Sequence, residues 1–472
     1  MEEVFRHWGF SRNQWRDVVG SGRLVDQDGW ADARPEFGRV RLGDELIDRC
    51  GPWATACADG WWGWLVGDGA ARCDGEPVAW FASSDGTTRP IVTRTQPGCY
   101  AFSFRVDDTI RFIQNERFVA HAAPLYVRLG VRPCVLPAWL RSRAFKGMSV
   151  VRRLGCRSGR AVSADGTDPS VDAWRWMIRE VVVEHTGEPG VPLWPDGKRF
   201  AAVVTFDVDT AYSFRHGAMT ALADSLDGLE VKAAWMTVTK NLASIRPGVD
   251  DLHAAGHEIG FHGTLHDHRL AFLPCHEMRA RLREGMGLLG GYDVKGFRSP
   301  SYLRTPGLYG ALNGSVSYDM SMHDRFFRTS GLTGVREGCG TCMPFVIAGT
   351  DVLEIPTTVP EDWNLELAGH TACTALDRQR AAVGLIADRG GVANVVHHPE
   401  PHLSLRREWL AAFFELVAFL SADHTAWVVR PREVDRHWRE RMALIDGLWG
   451  STADSDRGSR VATAAHTCAV AG

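Results

Sequence analysis

From residue 199 onward, short apolar runs alternate with amphipathic stretches. The runs FAAVVTF, VKAAWMTV, HEIGFH, VKGFRS, VSYDMS, DVLEIP, VANVVHH and TAWVV are separated by segments such as HEMRARLREGMGLL and LDRQRAAVGLIAD. Strands alternating with helices predict an α/β fold with a parallel sheet and helices outside it, and seven or eight such strands predict a barrel. In barrels of this kind, polar residues just past the C-terminal ends of the strands are where chemistry is placed.

The first part of the chain reads differently. Aromatic runs broken by turn signals, GPWATACADGWWGWLVGDG, GEPVAWFASSDG and PGCYAFSFRVDD, predict an α+β or β-rich accessory module over residues 1–157. Alternation of Tyr100, Phe102 and Phe104 predicts a strand in a partly exposed sheet. The cluster Trp61, Trp62 and Trp64 fits either a core or a stacking platform. Residues 158–196 are expected to be a linker and a connecting helix: SGRAVSADGTDPS is polar and turn-rich, while Trp174, Met177 and Val181 fall at helical spacing. The barrel is assigned to 197–445, and 446–472, with few large apolar groups, to a disordered tail.

Composition narrows the function classes. At 472 residues and 45% apolar content the chain can bury more than one core, and a net charge of −4 gives no basic footprint for nucleic acid. The opening MEEVFRHWGF lacks a basic segment followed by an apolar run, and no stretch offers the roughly 18 apolar residues of a membrane span. A cytoplasmic protein without a membrane span is the expectation. Eleven cysteines form no regular framework, which fits reduced thiols, and Cys339 and Cys342 lack the second ligand pair of a zinc knuckle. FRVDDTIRF superficially echoes the later FDVDT, but with only an isolated His121 after it, Asp107 and Asp108 read as a turn or cap.

The strand ends carry the candidate chemistry. Asp207 and Asp209 follow the first barrel strand at i, i+2 spacing, so both point the same way if the strand persists; a turn or a helix cap is the other reading of D-x-D. HEIGF leads into His262 and His266, an i, i+4 pair that shares one face if a helical turn follows the strand. One carboxylate and two imidazoles suit zinc or another late first-row ion and leave open positions for water and substrate. Arg298 ends a later strand and could hold Asp207 by a bidentate pair, or only neutralise local acidic charge. Asp319 and one of His397 and His398 could supply a second acid/base pair, and strand alternation lets only one of the two histidines face the mouth.

The ordered set TFDVD, HGTLH, RSPSY, YDMS and HHPE resembles the five motifs of the polysaccharide deacetylase family, whose catalytic NodB homology domain is a distorted (β/α)7 barrel. The similarity covers about residues 197–440. It implies that Asp207 is the general base, that Asp209, His262 and His266 hold the metal, that Arg298 orients Asp207, and that His398 is the general acid, tuned by Asp319. One departure is that Ser301 stands between Pro300 and the aromatic Tyr302, which usually follows the proline directly; another is His397, where an apolar residue often precedes the fifth motif.

The resulting expectation is a hydrolase using one divalent ion, zinc before Co2+, Ni2+ or Mn2+, to remove an N-acyl group from an N-acylated sugar or glycoconjugate. Tyr302, Asp362 and Trp363 are expected to line the sugar site. A metal-dependent phosphoesterase and a catalytically silent glycan-binding barrel are the alternatives.

Overall fold

The computed structural model describes residues 1–26, 33–50, 52–55, 59–67, 74–130, 169–324, 327–328, 336–401 and 404–450. Most of the expected linker, through residue 168, and the tail from 451 lie outside the described residues.

The N-terminal part is an α+β module built on a six-stranded sheet. Its strands are β1 (Leu24–Asp26), β2 (Arg34–Leu42), β3 (Trp61–Gly67), β4 (Glu76–Ser83), β5 (Thr88–Gln96) and β6 (Cys99–Phe102), in the order β1-β6-β5-β4-β2-β3. Strand β3 alternates as its sequence demands: Trp61 and Leu65 are buried on one face while Trp62 and Trp64 lie half-buried on the other. Trp61 packs on Trp174, Trp62 stacks on Phe37 and Trp64 stacks on Phe118, so the tryptophan run is packing. β6 departs from the partly exposed strand expected of it. Lying between β1 and β5, it is buried along its whole length. Asp107 and Asp108 sit in the first turn of helix Val106–Gln114, in keeping with the cap reading.

Helix Ser170–Thr186 is more than a connector. Trp174, Met177, Ile178, Val181 and Val182 share one buried cluster with Phe5, Leu46, Phe104 and Ile110 of the N-terminal module. The segment read as a linking helix therefore completes that module's core. The last helix, Pro431–Trp449, runs past the expected end at 445 and fastens the two halves, Trp449 Nε1 donating to the Phe10 carbonyl at 2.9 Å.

The barrel comprises β7 (Phe200–Val208), β8 (Ala234–Thr237), β9 (Glu258–Phe261), β10 (Gly296–Phe297) and β11 (Tyr318–Asp319), followed after a hairpin of β12 (Phe327–Arg328) and β13 (Arg336–Glu337) by β14 (Phe345–Val346), β15 (Leu353–Glu354), β16 (Val392–His397) and β17 (Ala426–Val428). The order β14-β15-β11-β10-β9-β8-β7-β16 is parallel from β15 to β16, with β17 also parallel to β7 and β14 antiparallel at the edge. All eight apolar runs of the sequence are strands. The short strands β12, β13 and β14 were not foreseen.

Among the described residues no ladder joins β15 to β16. Irregular chain after β15 bridges the gap instead: Thr358 Oγ1 donates to the Val392 carbonyl at 2.7 Å and accepts from the Asn394 N–H at 2.9 Å. β7 explains why the mouth is polar. Phe200, Ala202, Val204, Phe206 and Val208 face the helices, while Ala201, Val203, Thr205 and Asp207 alternate toward the interior.

Cys339 and Cys342 are buried thiols, donating to the His323 carbonyl and to Asp172, and burial pushes both pKa values well up, as suits packing. No described helix is long and apolar enough to cross a membrane. Because Trp174 is fully buried at the centre of the N-terminal core, Trp174→Ala is expected to destabilise the protein by about 3–5 kcal/mol. A shift in the urea midpoint measures this; an unchanged midpoint would show that the helix is a dispensable connector.

Candidate active site

Asp207 lies at the C-terminal end of β7 with its carboxylate buried. Arg298, one residue past β10, is fully buried and donates from Nη1 to Asp207 Oδ1 at 2.7 Å. Its Nη2 reaches Thr205 Oγ1 at 2.9 Å and its Nε the Met320 carbonyl at 3.3 Å. The pair is thus single-contact, not the bidentate fork that the sequence suggested, because the other guanidinium nitrogens are spent on Thr205 and on the Met320 carbonyl. Burial would raise the Asp207 pKa, but Arg298, then His262 and His398, hold it below the usual carboxylate value. Asp207 Oδ2, the oxygen Arg298 does not use, lies 3.8 Å from both His262 Nε2 and His398 Nε2.

Beside it stand Asp209, His262 and His266. Asp209 Oδ1 is 3.2 Å from His262 Nε2 and 3.3 Å from His266 Nε2. That oxygen is buried without a hydrogen-bond partner, and the three ligand atoms all lie within 4.8 Å of one another. A buried carboxylate oxygen facing two imidazole nitrogens is an arrangement a divalent cation satisfies, and the donor set of one oxygen and two nitrogens suits zinc-like ions. His262 Nδ1 bonds the Arg298 carbonyl at 2.8 Å. A carbonyl can only accept, so Nδ1 carries a proton and Nε2 is the atom left to face Asp209 and to take an ion.

The expected helical turn between His262 and His266 is absent. The backbone loops through Gly263 at φ 78°, a left-handed conformation open to glycine. Thr239 N–H and Lys240 N–H donate to the Gly263 and Thr264 carbonyls, and Thr264 Oγ1 donates to the Arg281 carbonyl. The two imidazoles therefore converge through a pinned loop, not a helix face.

Strand alternation decides between the adjacent histidines. His397 turns outward, stacked on Phe413 at 4.1 Å, and burial drives its pKa down to about 4. His398 turns into the mouth. Its Nδ1 lies 2.8 Å from Asp362 Oδ1, and its backbone N–H donates to Asp362 Oδ2 at 2.8 Å. Burial alone would lower the His398 pKa, but Asp362, with Asp207 and Asp209 behind it, raises it well above the ordinary imidazole value. Asp362 is itself held down to about 2, its burial outweighed chiefly by His398.

Two expectations need correcting. Asp319 does not reach His398: it is fully buried, accepting from Ser321 N–H at 3.1 Å and from Ser321 Oγ at 2.7 Å. Asp362 is the carboxylate on the histidine, and with its oxygens turned to His398, Ser404 and the Trp363 N–H it is not a wall of a sugar site. Its place just past the strand DVLEIP was the available signal. Trp363, beside it, is half-buried, and Tyr302 packs its ring against His323 at 4.4 Å. Thr205, which anchors Arg298, escaped the sequence reading because an inward threonine on a barrel strand looks like core.

Residues 195–320 match the family model described as polysaccharide deacetylase. Among solved structures, the chain is similar to a protein assigned as a polysaccharide deacetylase from Mycobacterium smegmatis, at 23% identity over 52% of this chain and 93% of that one, with a TM-score of 0.43. It is also similar to one so assigned from Pseudomonas aeruginosa PAO1, at 14% identity over 55% and 97% with a TM-score of 0.43, and to the allantoinase Puue, at 14% over 55% and 96% with a TM-score of 0.42. No curated protein matches the chain.

The Asp362 contact gives a direct prediction. In wild type the His398 imidazolium should persist to higher pH than an ordinary imidazolium, whereas in Asp362→Asn, with the largest raising influence removed, its titration should move to lower pH. Histidine NMR titration checks this, and an unmoved midpoint would contradict the assigned pairing.

Proposed function

We propose, from the match of residues 195–320 to the polysaccharide deacetylase model and from the site geometry, that this protein is a divalent-metal-dependent hydrolase removing an N-acyl group, N-acetyl foremost, from an amino sugar or sugar conjugate. The observation that carries the reading is the position of Asp207 Oδ2, 3.8 Å from both the His262 and His398 Nε2 atoms. A base thus stands between a three-ligand cation cluster and a candidate acid.

Asp209, His262 and His266 would hold the ion. When bound, a zinc-like ion supplies Lewis acidity toward water and the scissile carbonyl. Asp207, kept ionised by Arg298, accepts a proton from the attacking water on its free Oδ2. His398, protonated because Asp362 stabilises the imidazolium, delivers its Nε2 proton to the amide nitrogen as the carbon–nitrogen bond breaks. The products are a carboxylic acid and an amine, and the proton lost by water balances the one given to the leaving group. Tyr302 and Trp363 serve as walls for the sugar, a use consistent with partly apolar faces. Among the described residues one cluster of three ligands is present, which supports a single-ion hydrolase over a two-ion phosphoesterase.

Amine release from N-acetylated sugars and sugar conjugates tests the proposal. Wild type should release amine, and Asp207→Asn should lower kcat by about 10²- to 10⁴-fold, the usual worth of a positioned base, with KM little changed. Full activity in Asp207→Asn would remove Asp207 from the reaction, and no amine from any member of the panel would count against the hydrolase reading.

A further inference from the structure

The N-terminal module reaches into the wall of the candidate active site. Its segment after helix Val106–Gln114 crosses to the loop following β10, where Pro300, Ser301 and Tyr302 form a tight turn. Glu116 takes the Arg304 guanidinium in a two-oxygen grip, Nε to Oε2 at 2.7 Å and Nη2 to Oε1, with both side chains about 1% exposed. Arg304 Nη1 in turn donates to the Tyr302 carbonyl at 2.8 Å and to the Ser321 carbonyl at 3.0 Å. His121 Nδ1 lies 3.2 Å from the Arg304 carbonyl. Farther along, the Tyr126 hydroxyl is 2.7 Å from His268 Nδ1, and His268 Nε2 is 2.8 Å from Ser301 Oγ.

Backbone conformation marks the same place. Of the eight non-glycine residues with positive φ among those described, Glu116, His121, His268, Ser301 and Tyr302 all belong to this contact. Left-handed backbone at such residues persists only where the surroundings over-determine it. Ser301 and Tyr302 are adjacent, at φ 54° and 56°, so their turn depends on its anchors more than an ordinary loop does. Below, Asp319 orders Ser321, whose Oγ accepts the Ser299 N–H at 2.8 Å. From the side, the anchors come from the N-terminal module.

We propose that Tyr126 and Glu116 are positioning residues of the reaction. Through His268 and Ser301, and through Arg304, they hold the Ser301–Tyr302 turn so that Tyr302 is fixed beside the Arg298–Asp207 pair. The inserted serine thereby acquires a function: it is the hydroxyl by which the accessory module grips the site. This inference rests on the hydrolase reading for its kinetic consequence but not for its structural one.

The test uses the full chain, comparing wild type with Tyr126→Phe, which keeps the ring against His268 and removes only the hydroxyl, and Glu116→Gln. Hydrogen exchange followed by mass spectrometry should be faster in peptides covering 299–304 in both variants, with the β7 and β16 peptides unchanged. For amine release, Tyr126→Phe should lower kcat/KM about three- to tenfold, the worth of one hydrogen bond, mainly through KM, with metal content unchanged. Ser301→Gly accommodates the left-handed backbone but lacks the hydroxyl, so adding Tyr126→Phe to it should cost little more, a non-additivity that a general loss of stability would not produce. Unchanged exchange at 299–304, or fully additive losses, would overturn the proposal. Faster exchange in the variants of a protein that releases no amine would refute the hydrolase reading while upholding the anchorage.

Discussion

The pairing of Arg298 with Asp207 is the constraint on which the site depends. Both side chains lie out of water, so neither charge could be kept there alone; removing one partner of such a pair typically costs about 3–5 kcal/mol. The guanidinium also bonds Thr205 on β7 and the Met320 carbonyl just past β11, so a single residue ties three neighbouring parts of the barrel around one carboxylate. Because it occupies only one oxygen of Asp207, the other remains directed at the two histidine nitrogens. Charge neutralisation and free basicity are thereby obtained from the same contact.

Around this pair the barrel distributes opposite electrostatic tasks to residues that look alike in sequence. Asp207 and Asp209 are two residues apart, yet one is bonded through a single oxygen to an arginine and the other has one oxygen within 3.3 Å of two imidazole nitrogens. His397 and His398 are adjacent, yet burial against Phe413 drives one down and Asp362 drives the other up. The second difference follows from strand geometry, which sends adjacent side chains to opposite faces; the first arises because β7 ends at Val208, so that Asp209 stands past the strand. The helix-facing side takes apolar partners, whereas the mouth can hold charges because each is compensated within hydrogen-bonding range.

Much of this was legible in the chain. Every apolar run assigned to the barrel is a strand, and Asp207, Asp209, His262, His266, Arg298 and His398 converge, because each follows a strand at its C-terminal end and the parallel sheet brings those ends together. What escaped were links that depend on loops. Spacing suggested a helical turn between His262 and His266, but Gly263 and cross-loop backbone bonds make a different path. Asp319 follows its strand as a partner for His398 would, yet its side chain turns to Ser321. Asp362 contacts His398 instead, from the first turn of the helix Asp362–Ala368 that follows β15. No periodicity could show that helix Ser170–Thr186 belongs to the first core, or that Glu116 and Tyr126 cross to the turn at Ser301.

In the proposed reaction Asp209 belongs to the ion and Asp207 to the proton transfer. Metal content per chain after reconstitution, measured by mass spectrometry in wild type, Asp207→Asn and Asp209→Ala, tests this division most directly. One divalent ion is expected in wild type, one in Asp207→Asn and a substoichiometric amount in Asp209→Ala. No ion in wild type, two ions per chain, or an ion lost from Asp207→Asn but kept in Asp209→Ala would contradict it.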